Sequence, residues 1–588
     1  MDTSVLIVGA GPTGLMLALE LSLHGVPFRI IDANVTAKPS YQSRALVIHS
    51  RTLELLARHD LAERFMSNGS FSDEVHIFLH RSFLWKIKNT RNLMGDTVYP
   101  DPVTVKQPIA EKYLEERLKD YGGKVEKGVS AENIVVDGDG EGVSVWIRRK
   151  KLAPGSNEDY KDGGEDKNQN EDQNEDQNED QNEERLIKCK YVVGCDGMHS
   201  VVRSFAGINF EGTSYTDEYI LADARVEWDN QIGSYFFIGR GLMAFLPLGG
   251  KDLYRIVCKR PSPRRSLFSA FWSHPPTLRQ REPEIHEFNS SIAALLPSPI
   301  QIHNPTWLST FRINSRLAST YNVGRLFLAG DAAHVHAPVG GQGMNCGIQD
   351  AVNLGWKLAR VLRSTAPKSL LNSYEIERRK IADVTVRSTE FMFNIMATTN
   401  LLKIWLRDFI WCWILPYFGD SKSADKIRRR ISQLSIRYRD SPIVNTSSKW
   451  KGKLRGGDRA PDGWLVNSQR EQVTLHALCK KPADYLILFI GNESPNCLIN
   501  KGDIRLLKAC CSDLTVLNIY HSKDIQDIEF LDSYADPEGK LHALYQIDKP
   551  SYVLTRPDGY ISSIGPLSSL TELKSWINTQ TQPKNVIK

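Results

Sequence analysis

The sequence predicts an α/β fold in which a parallel sheet and an antiparallel sheet are interleaved along the chain, with a further α/β unit near the C-terminus. Short apolar runs that end in glycine or aspartate indicate buried parallel strands, and they stand at residues 5–8, 26–31, 191–194 and 325–329. Alternating apolar and polar residues with many aromatics indicate antiparallel strands over residues 71–102 and 210–316. The C-terminal unit is predicted by three later apolar runs, at residues 485–490, 514–520 and 552–555.

The first predicted strand leads directly into a glycine-rich turn of the pattern G-x-G-x-x-G. Gly9 permits the tight turn, Gly11 lets the backbone approach a pyrophosphate, and Gly14 lets the helix at Leu15–His24 pack closely on the sheet. Asp32 ends the second strand, where a carboxylate suits a ribose hydroxyl. The alternative is an ordinary glycine turn, but the strand, helix, second strand and acid occur in the expected order. The sequence therefore predicts a dinucleotide site at Gly9, Ala10, Gly11, Pro12, Thr13, Gly14 and Asp32.

Two later segments indicate which dinucleotide is bound. They are Tyr191–Ser200, which reads YVVGCDGMHS, and Gly324–Asn345, which reads GRLFLAGDAAHVHAPVGGQGMN. Together with the opening turn they resemble the single-component FAD-dependent aromatic hydroxylases of the p-hydroxybenzoate hydroxylase-like class, in particular the phenol hydroxylase and polyketide hydroxylase branch. The resemblance covers nearly the whole chain in the same order. It implies FAD as the cofactor, a Rossmann-type FAD-binding domain interleaved with an antiparallel-sheet substrate domain, and a C-terminal thioredoxin-like domain.

The resemblance also divides the chain. We expect the FAD-binding domain at residues 1–75, 104–209 and 322–365, the substrate domain at 76–103 and 210–321, a helical segment at 366–450 and the thioredoxin-like domain at 451–588. The nine cysteines include no C-x-x-C, so we expect a structural or dimerising role for the last domain, and a homodimer is possible. A QNED repeat lies within residues 155–184, where net charge is strongly negative and no apolar face exists. We interpret it as a disordered insertion without a catalytic part.

Several residues outside the opening turn are implied to contact FAD. Arg44 and Gln107 lie against the flavin in the family, and Asp196 lies near both FAD and the path of NAD(P)H. Without the resemblance, Arg44 would be a surface arginine and Gln107 an ordinary polar residue near a helix start. Asp196 would equally well be a residue that caps a turn.

The segment that ends at Asn345 is expected to surround the flavin. Gly330 frees the backbone so that Asp331 can hydrogen-bond the ribityl hydroxyls. The helix that follows points its first amides toward the pyrimidine edge, where N–H donors and the helix dipole stabilise the anionic reduced flavin. These amides belong to Gly343, Met344 and Asn345.

Two residues are implied to act at the reacting centre. Pro338 fixes the approach of the backbone, and in the family its carbonyl neighbours the reactive carbon. Arg255 matches a family arginine that contacts the ring system as the flavin moves, although an arginine on a strand could merely face solvent. His334 and His336 stand two residues apart with no acidic ligand nearby, so we interpret them as structural and predict no metal site.

Composition excludes some partners and leaves others open. The chain carries a net charge of +5 and a basic body, yet no arginine–aromatic cluster or nucleic-acid module is present, so no nucleic acid is expected. The scattered cysteines and a first strand at the N-terminus favour a cytoplasmic protein. The apolar stretch over residues 374–417 is broken by Lys403, Arg407 and Asp408. We interpret it as a buried interdomain or dimer-facing helix, and contact with a membrane surface is the less favoured alternative.

The resemblance implies a monooxygenase in which NADPH or NADH reduces FAD and O2 forms a flavin C4a-hydroperoxide that hydroxylates a phenolic or polyketide-type aromatic substrate. The sequence leaves NADPH and NADH undistinguished. Leu46 and Val257 stand where simple phenol hydroxylases carry an acid and a tyrosine, which favours a larger, already acidic substrate such as a hydroxyquinone or aromatic polyketide. The alternatives on the same scaffold are epoxidation, Baeyer–Villiger insertion and oxidative decarboxylation. A non-catalytic binding protein is a more distant one.

Overall fold

The computed structural model describes residues 1–36, 47–72, 74–88, 95–138, 140–150, 183–228, 233–250, 252–261, 282–296, 300–414, 421–491, 501–510, 513–521 and 532–580. Arg44, Leu46 and residues 155–182 of the predicted insertion lie outside the described residues.

The elements up to residue 209 form most of the first sheet and its helices, an early hairpin of the second sheet and a separate three-stranded sheet. They are β1 (Thr3–Val8), α1 (Pro12–Leu23), β2 (Phe28–Asp32), β3 (Val47–Ile48), α2 (Ser50–Ala57), α3 (Ala62–Asn68), β4 (Ser70–Phe71), β5 (Glu74–Leu79), β6 (Ser82–Lys88), β7 (Val103–Thr104), α4 (Gln107–Asp120), β8 (Val125–Lys127), β9 (Val129–Val136), β10 (Val143–Arg149), β11 (Glu183–Gly194) and α5 (Val201–Phe205). The helix predicted from Leu15 begins at Pro12, because a proline has no N–H to leave unpaired in the first turn.

The middle of the chain forms most of the second sheet, two strands of the first sheet and a series of helices. These elements are β12 (Phe210–Glu227), β13 (Ser234–Gly239), β14 (Gly241–Pro247), β15 (Leu253–Lys259), α6 (Ile285–Leu295), β16 (Gln301–Ala318), β17 (Asn322–Val323), β18 (Leu326–Leu328), β19 (His334–Val335), α7 (Gly343–Leu362), α8 (Asn372–Met396), α9 (Leu401–Phe409) and α10 (Ser421–Ile431).

The C-terminal part forms the third sheet. Its elements are β20 (Asn445–Thr446), β21 (Trp464–Val466), β22 (Gln472–Thr474), α11 (Leu475–Leu478), β23 (Asp484–Gly491), α12 (Lys501–Cys510), β24 (Leu514–Tyr520), β25 (Asp532–Ala535), α13 (Lys540–Tyr545), β26 (Ser551–Thr555), β27 (Ile561–Pro566) and α14 (Leu570–Gln580). The strands expected at 485–490, 514–520 and 552–555 are β23, β24 and β26.

The first sheet contains the predicted parallel strands. β1 pairs in parallel with both β2 and β11, and β11 pairs in parallel with β18. The strand order is β17-β18-β11-β1-β2-β8, and the β9–β10 hairpin is joined to β11 in antiparallel register. Because parallel strands end at the same edge of a sheet, the turns that follow β1, β2, β11 and β18 lie side by side.

The second sheet is largely antiparallel, as the alternating pattern predicts. Its order is β19-β16-β12-β15-β14-β13-β5-β6, so the early hairpin β5–β6 joins strands that follow more than a hundred residues later. Among the described strands of this sheet, β13 and β5 form the one parallel pair. Two stretches of chain that are distant in sequence therefore build one sheet, which is why the first and second sheets are interleaved along the chain.

The third sheet has its own apolar core on each face. In it β24 pairs in parallel with β23 and β25, and β26 pairs antiparallel with β23 and β27. One core contains α13, and the other contains α12 and α14. The mixed α/β architecture is thus present in all three parts of the chain.

Buried ion pairs join the C-terminal part to the helices behind the first sheet. The Glu377 carboxylate accepts hydrogen bonds from the Arg556 guanidinium at 2.6 and 3.0 Å and from Lys357 Nζ at 2.8 Å. Arg459 Nη1 donates to Glu54 Oε1 at 2.9 Å. Since these side chains are buried, each charge depends on its partner rather than on water.

Candidate functional site

A large cavity lies at the carboxyl edge of the first sheet and extends along the second sheet. Its volume is about 3100 Å³. Pockets for one small molecule usually measure roughly 300–1,000 Å³, so this cavity has room for a dinucleotide together with a second ligand. One part is lined by the turns after β1, β2 and β11 and by the loop before α7, and the other by strands of the second sheet.

The glycine turn after β1 is held by contacts that only glycine permits. Gly9 has φ of 101°, and a Cβ there would lie 2.5 Å from the Cys195 carbonyl oxygen. A Cβ on Gly14 would lie 2.0 Å from the Gly9 carbonyl oxygen. Gly11 precedes α1 in an extended conformation, and no protein atom lies within 4 Å of where its Cβ would be. Gly9 and Gly14 therefore serve protein packing, whereas Gly11 leaves open space at the start of a helix, where a phosphate binds favourably.

Asp32 is bound to the glycine turn while it lines the cavity. Its Oδ2 accepts the Ala10 N–H at 2.7 Å, and its Oδ1 accepts the Asn34 N–H and Nδ2–H, each at 2.8 Å. A carboxylate has about four lone-pair positions, so three bonds leave capacity for one further donor such as a ribose hydroxyl.

We expect Asp32→Ala to weaken FAD binding by about 10-fold or more, because a hydrogen bond to a charged group contributes roughly 1.5–3 kcal/mol. Fluorescence titration of the apoprotein with FAD measures this loss. Asp2→Ala is the matched control, since Asp2 also accepts a backbone N–H, from Lys188 at 2.8 Å, but does not line the cavity. Equal affinities in the two variants would contradict the assignment of Asp32.

The turn after β11 places Asp196 at the cavity wall and at the start of α5. Asp196 Oδ2 accepts the N–H groups of Val201 at 2.7 Å and Val202 at 3.4 Å. Burial raises the pKa of this carboxyl. Asp196 therefore caps this turn, as the alternative interpretation expected. The same side chain also lines the cavity, so its contact with FAD stays a prediction.

The turn after β18 is shaped by glycine and by Thr13. Gly330 has φ of 63°, and a Cβ there would lie 2.5 Å from Thr13 Oγ1. Gly347 of α7 approaches the same hydroxyl, where a Cβ would come within 2.2 Å. Close packing around Thr13 brings the turn after β18 and the start of α7 against the glycine turn. Asp331 follows Gly330 at the surface and lines the cavity.

A buried carboxylate behind this turn was not identified from the sequence. Asp350 of α7 accepts the Gly330 N–H at 3.0 Å, His334 Nε2 at 2.8 Å and Arg378 Nε at 2.6 Å. Burial by itself would raise the pKa of Asp350, but Arg378 and His334 hold it below its usual value. Asp350 thus fixes the turn that carries Asp331. In the sequence, an aspartate within an apolar helix was the only signal that could have identified this role.

The start of α7 is held by Asn345. Its side chain donates to the carbonyls of Val47 and Gly341, each at 2.8 Å, and accepts the His49 N–H at 2.9 Å. His49 Nε2 lies 2.7 Å from the Gly340 carbonyl, and burial lowers its pKa to about 4, so the ring is neutral at pH 7 and donates this bond. The Asn345 side chain therefore secures the loop and does not line the cavity.

Arg255 is buried instead of facing solvent. Its Nε and Nη2 donate to the two carboxylate oxygens of Asp223 at 2.7 and 2.8 Å, and its guanidinium lies 5.2 Å from the centre of the Trp307 ring. The surface alternative for Arg255 is wrong, because Asp223 compensates its charge inside the protein. Arg255 lines the cavity, and its contact with the flavin stays a prediction.

The structure brings most of the predicted site residues to one cavity. Gln107 begins α4, donates from Nε2 to Glu111 Oε1 at 2.8 Å and lines the same wall as Pro338. Gly14, Gly330 and Asn345 lie behind the lining, and Arg44 lies outside the described residues. The predicted residues that line the cavity are Gly9, Ala10, Gly11, Pro12, Thr13, Asp32, Gln107, Asp196, Arg255, Asp331, Pro338, Gly343 and Met344.

The part of the cavity along the second sheet is apolar and aromatic. Val257 lines it, as do residues that the sequence did not single out because they belong to ordinary alternating strands. These are Tyr219, Leu221, Phe236, Ile238, Leu242, Leu246, Trp307 and Leu308. An apolar wall opposite helix N-termini and carboxylates fits FAD at one end of the cavity and an aromatic ring at the other.

Known proteins are similar to this chain in both sequence and fold. Residues 2–153 and 155–389 match the family described as FAD binding domain. A rifampicin monooxygenase from Streptomyces venezuelae is 32% identical over 398 residues, which cover 67% of this chain and 72% of that protein. A 6-methylpretetramide 4-monooxygenase from Streptomyces rimosus is 29% identical over 588 residues, which cover 97% of this chain and 92% of that protein.

The solved structure of OxyS anhydrotetracycline hydroxylase from Streptomyces rimosus has a TM-score of 0.70 at 27% identity and covers 99% of this chain and 100% of its own. The carboxyl edge of the first sheet offers an open helix start at Gly11 for a phosphate and the Asp32 carboxylate for a ribose. The family match spans both residues. The chain therefore belongs to the FAD-binding domain family and is a FAD-dependent monooxygenase.

Proposed function

We propose that this monooxygenase hydroxylates a phenolic or polyketide-type aromatic substrate, with NADPH or NADH as the transient electron donor and O2 as the oxidant. The observation that carries the proposal is the continuous cavity, which runs from the glycine turn after β1 to the aromatic wall of the second sheet. Bound FAD supplies the redox chemistry, accepting two electrons and delivering one oxygen atom of O2 to the substrate.

The roles of the cavity residues are part of the proposal. The turn from Gly9 to Gly14 holds the pyrophosphate, Asp32 holds the ribose, and Asp331 and Asp196 approach the rest of the FAD chain. Gln107 lies against the flavin, and the first amides of α7, at Gly343, Met344 and Asn345, face its pyrimidine edge. These assignments are supported by the cavity lining and by the open helix start at Gly11.

Three residues are proposed to act near the substrate. Pro338 positions the backbone next to the reactive part of the flavin, and Arg255 places a buried positive charge beside the ring system. Val257 is an apolar residue at the position where simple phenol hydroxylases carry a tyrosine, so this position offers no group to accept the proton of a phenol. This favours a substrate that is already acidic, such as a hydroxyquinone or an aromatic polyketide. The cavity volume and the tetracycline-type substrates in the names of two relatives support a large substrate.

The division of the chain belongs to the same proposal. We assign FAD binding to the first sheet and α7, substrate binding to the second sheet, and a thioredoxin-like fold to the third. The parallel β23–β24–β25 strands beside antiparallel β26 and β27, with helices on both faces, support the last assignment. Without a C-x-x-C its role is structural or dimerising. Free cysteines such as Cys189 and Cys258 support a cytoplasmic location.

An anaerobic reduction experiment tests the proposed function. The purified protein should be yellow, and NADPH or NADH should bleach the flavin slowly alone and at least about tenfold faster with a matching phenolic polyketide. In air, mass spectrometry should then find the product with one added oxygen atom and an intact aromatic ring. A ring-expanded, epoxidised or decarboxylated product would replace hydroxylation by that chemistry, and a colourless protein that takes up no FAD would contradict the proposal.

A further inference from the structure

Helix α9 presents an apolar face to solvent. Leu402 is 74% exposed and Trp405 63% exposed, and Leu401, Leu406 and Phe409 share this face. The buried side of the helix carries Ile404 and the charged Arg407, which donates from Nη1 to the Gly239 carbonyl at 3.2 Å. A surface helix usually packs its apolar face on the core, whereas α9 turns most of its apolar side chains toward solvent. The interdomain alternative for this stretch is wrong for α9, because its apolar face is exposed in the single chain, and the dimer-facing alternative stays a prediction.

The exposed apolar surface continues around the mouth of the cavity. Leu406 lines the cavity, and so do exposed residues at the end of α8, after α9 and on α10. Residues that are both exposed and part of the lining mark an opening. On these three segments they are Phe391, Met392, Ile410, Ile427 and Ile431. We call this set, together with the apolar face of α9, the apolar rim.

Basic residues border the apolar rim. By sequence α9 and α10 together carry seven Lys or Arg and two Asp. Both aspartates are engaged: Asp408 binds His80 at 2.6 Å, and Asp425 lies 3.5 Å from Arg429. Lys403, Lys426 and Arg430 remain exposed. The border of the rim is therefore positively charged.

We infer that the apolar rim binds the surface of an anionic lipid bilayer, so that the cavity opens toward the lipid. A helix with Trp, Phe and Leu on one face and cationic residues beside it is suited to lie in the interface plane. Each Lys or Arg near an anionic leaflet adds to the attraction between the protein and the bilayer. Among the described residues no helix is long and apolar enough to cross a membrane, so the contact is with the surface alone.

A second copy of the chain fits the rim less well than a bilayer. A two-fold contact through the rim would place basic residues of both copies in one interface, and like charges facing each other are unfavourable. It would also cover the opening of the cavity. A bilayer satisfies the positive border, and it also concentrates apolar aromatic compounds next to the opening. Only this last benefit rests on the proposed function.

Vesicle flotation tests the inference with the full-length protein. We expect it to float with vesicles of phosphatidylcholine and phosphatidylserine, to float poorly with phosphatidylcholine alone, and to lose binding as salt is raised. Trp405→Glu should weaken binding by at least about tenfold, since burying a large apolar side chain contributes roughly 1.5–3 kcal/mol. Trp464→Glu is the matched control, because Trp464 is similarly exposed, at 58%, but lies on β21 of the third sheet.

The outcomes separate this inference from the proposed function. Failure of the unmodified protein to float with anionic vesicles would overturn the membrane contact, as would equal losses for Trp405→Glu and Trp464→Glu. A dimer in size-exclusion chromatography that Trp405→Glu dissociates, without flotation, would identify a second copy as the partner and overturn it too. Trp405 does not line the cavity, so NAD(P)H oxidation with a soluble substrate should be unchanged in the variant. A failure of the proposed function would remove that activity from all three proteins regardless of vesicles.

Discussion

Glu377→Ala should destabilise the protein by about 3–5 kcal/mol, the cost of leaving buried charges without their partner. Glu377 is fully buried between α7, α8 and the third sheet, where it binds Arg556 and Lys357. It also accepts the Asn353 Nδ2–H at 2.7 Å and the Ser441 hydroxyl at 2.6 Å. Removing the carboxylate leaves two buried cations, and Asp558 can compensate only Arg556 directly.

The midpoint of the first thermal transition measures this loss, because a chain with several sheets does not unfold in a single step. Glu141→Gln is the control, since Glu141 forms comparable ion pairs with Arg325 and Lys368 at the surface and should change the midpoint little. A midpoint of Glu377→Ala equal to that of Glu141→Gln would contradict the structural role of Glu377.

The contribution of the Glu377 carboxylate to the stability of the protein should depend on pH. Burial by itself would raise the pKa of Glu377, but Arg556 and Lys357 hold it far below the ordinary value of 4.5. Its folded pKa is depressed, so its contribution to stability is complete above pH 4.5 and is lost as the pH falls toward the folded pKa. The difference in thermal midpoint between the unmodified protein and Glu377→Gln should therefore shrink below pH 4.5.

Gly14→Ala and Gly11→Ala should both abolish or strongly weaken FAD binding, but for different reasons. The Cβ at position 14 would lie 2.0 Å from the Gly9 carbonyl oxygen, so α1 must move away from the turn and the apoprotein is destabilised by roughly 1–3 kcal/mol. The Cβ at position 11 meets no protein atom within 4 Å, so the apoprotein should lose at most about 1 kcal/mol. There the new methyl group instead occupies the space proposed for the pyrophosphate.

Thermal unfolding of the apoproteins and FAD titration distinguish these effects. The Gly11→Ala apoprotein should unfold close to the unmodified apoprotein, while its dissociation constant for FAD rises by roughly 5- to 150-fold, from an overpacking cost of about 1–3 kcal/mol. Normal FAD affinity in Gly11→Ala would place the pyrophosphate elsewhere. If the thermal midpoint of the Gly14→Ala apoprotein equalled that of the unmodified apoprotein, the close contact between α1 and the glycine turn would be contradicted.

Local sequence patterns predicted the parallel strands, the glycine turn and the position of Asp32 at the end of β2 correctly, because each depends on residues near one another in the chain. A buried parallel strand needs a continuous apolar run, and a turn with positive φ at Gly9 needs glycine. Gly9, Asp32, Asp196 and Asp331 line one cavity because parallel strands end at one edge, and for Asp196 and Asp331 the expectation came from the family resemblance. The antiparallel strands followed from alternation, though alternation did not reveal which of their side chains line the cavity.

The sequence by itself thus determined the order of the elements, the cofactor class and most of the residues at the carboxyl edge of the first sheet. Tertiary structure decided which charges are buried and with whom: Asp223 with Arg255, Asp350 with His334 and Arg378, and Glu377 with Arg556. It also decided that the apolar face of α9 is exposed. The physical reason is the same in both cases. Burial and pairing depend on elements that are distant in sequence, whereas a pattern along the chain reports only which faces of one element are apolar.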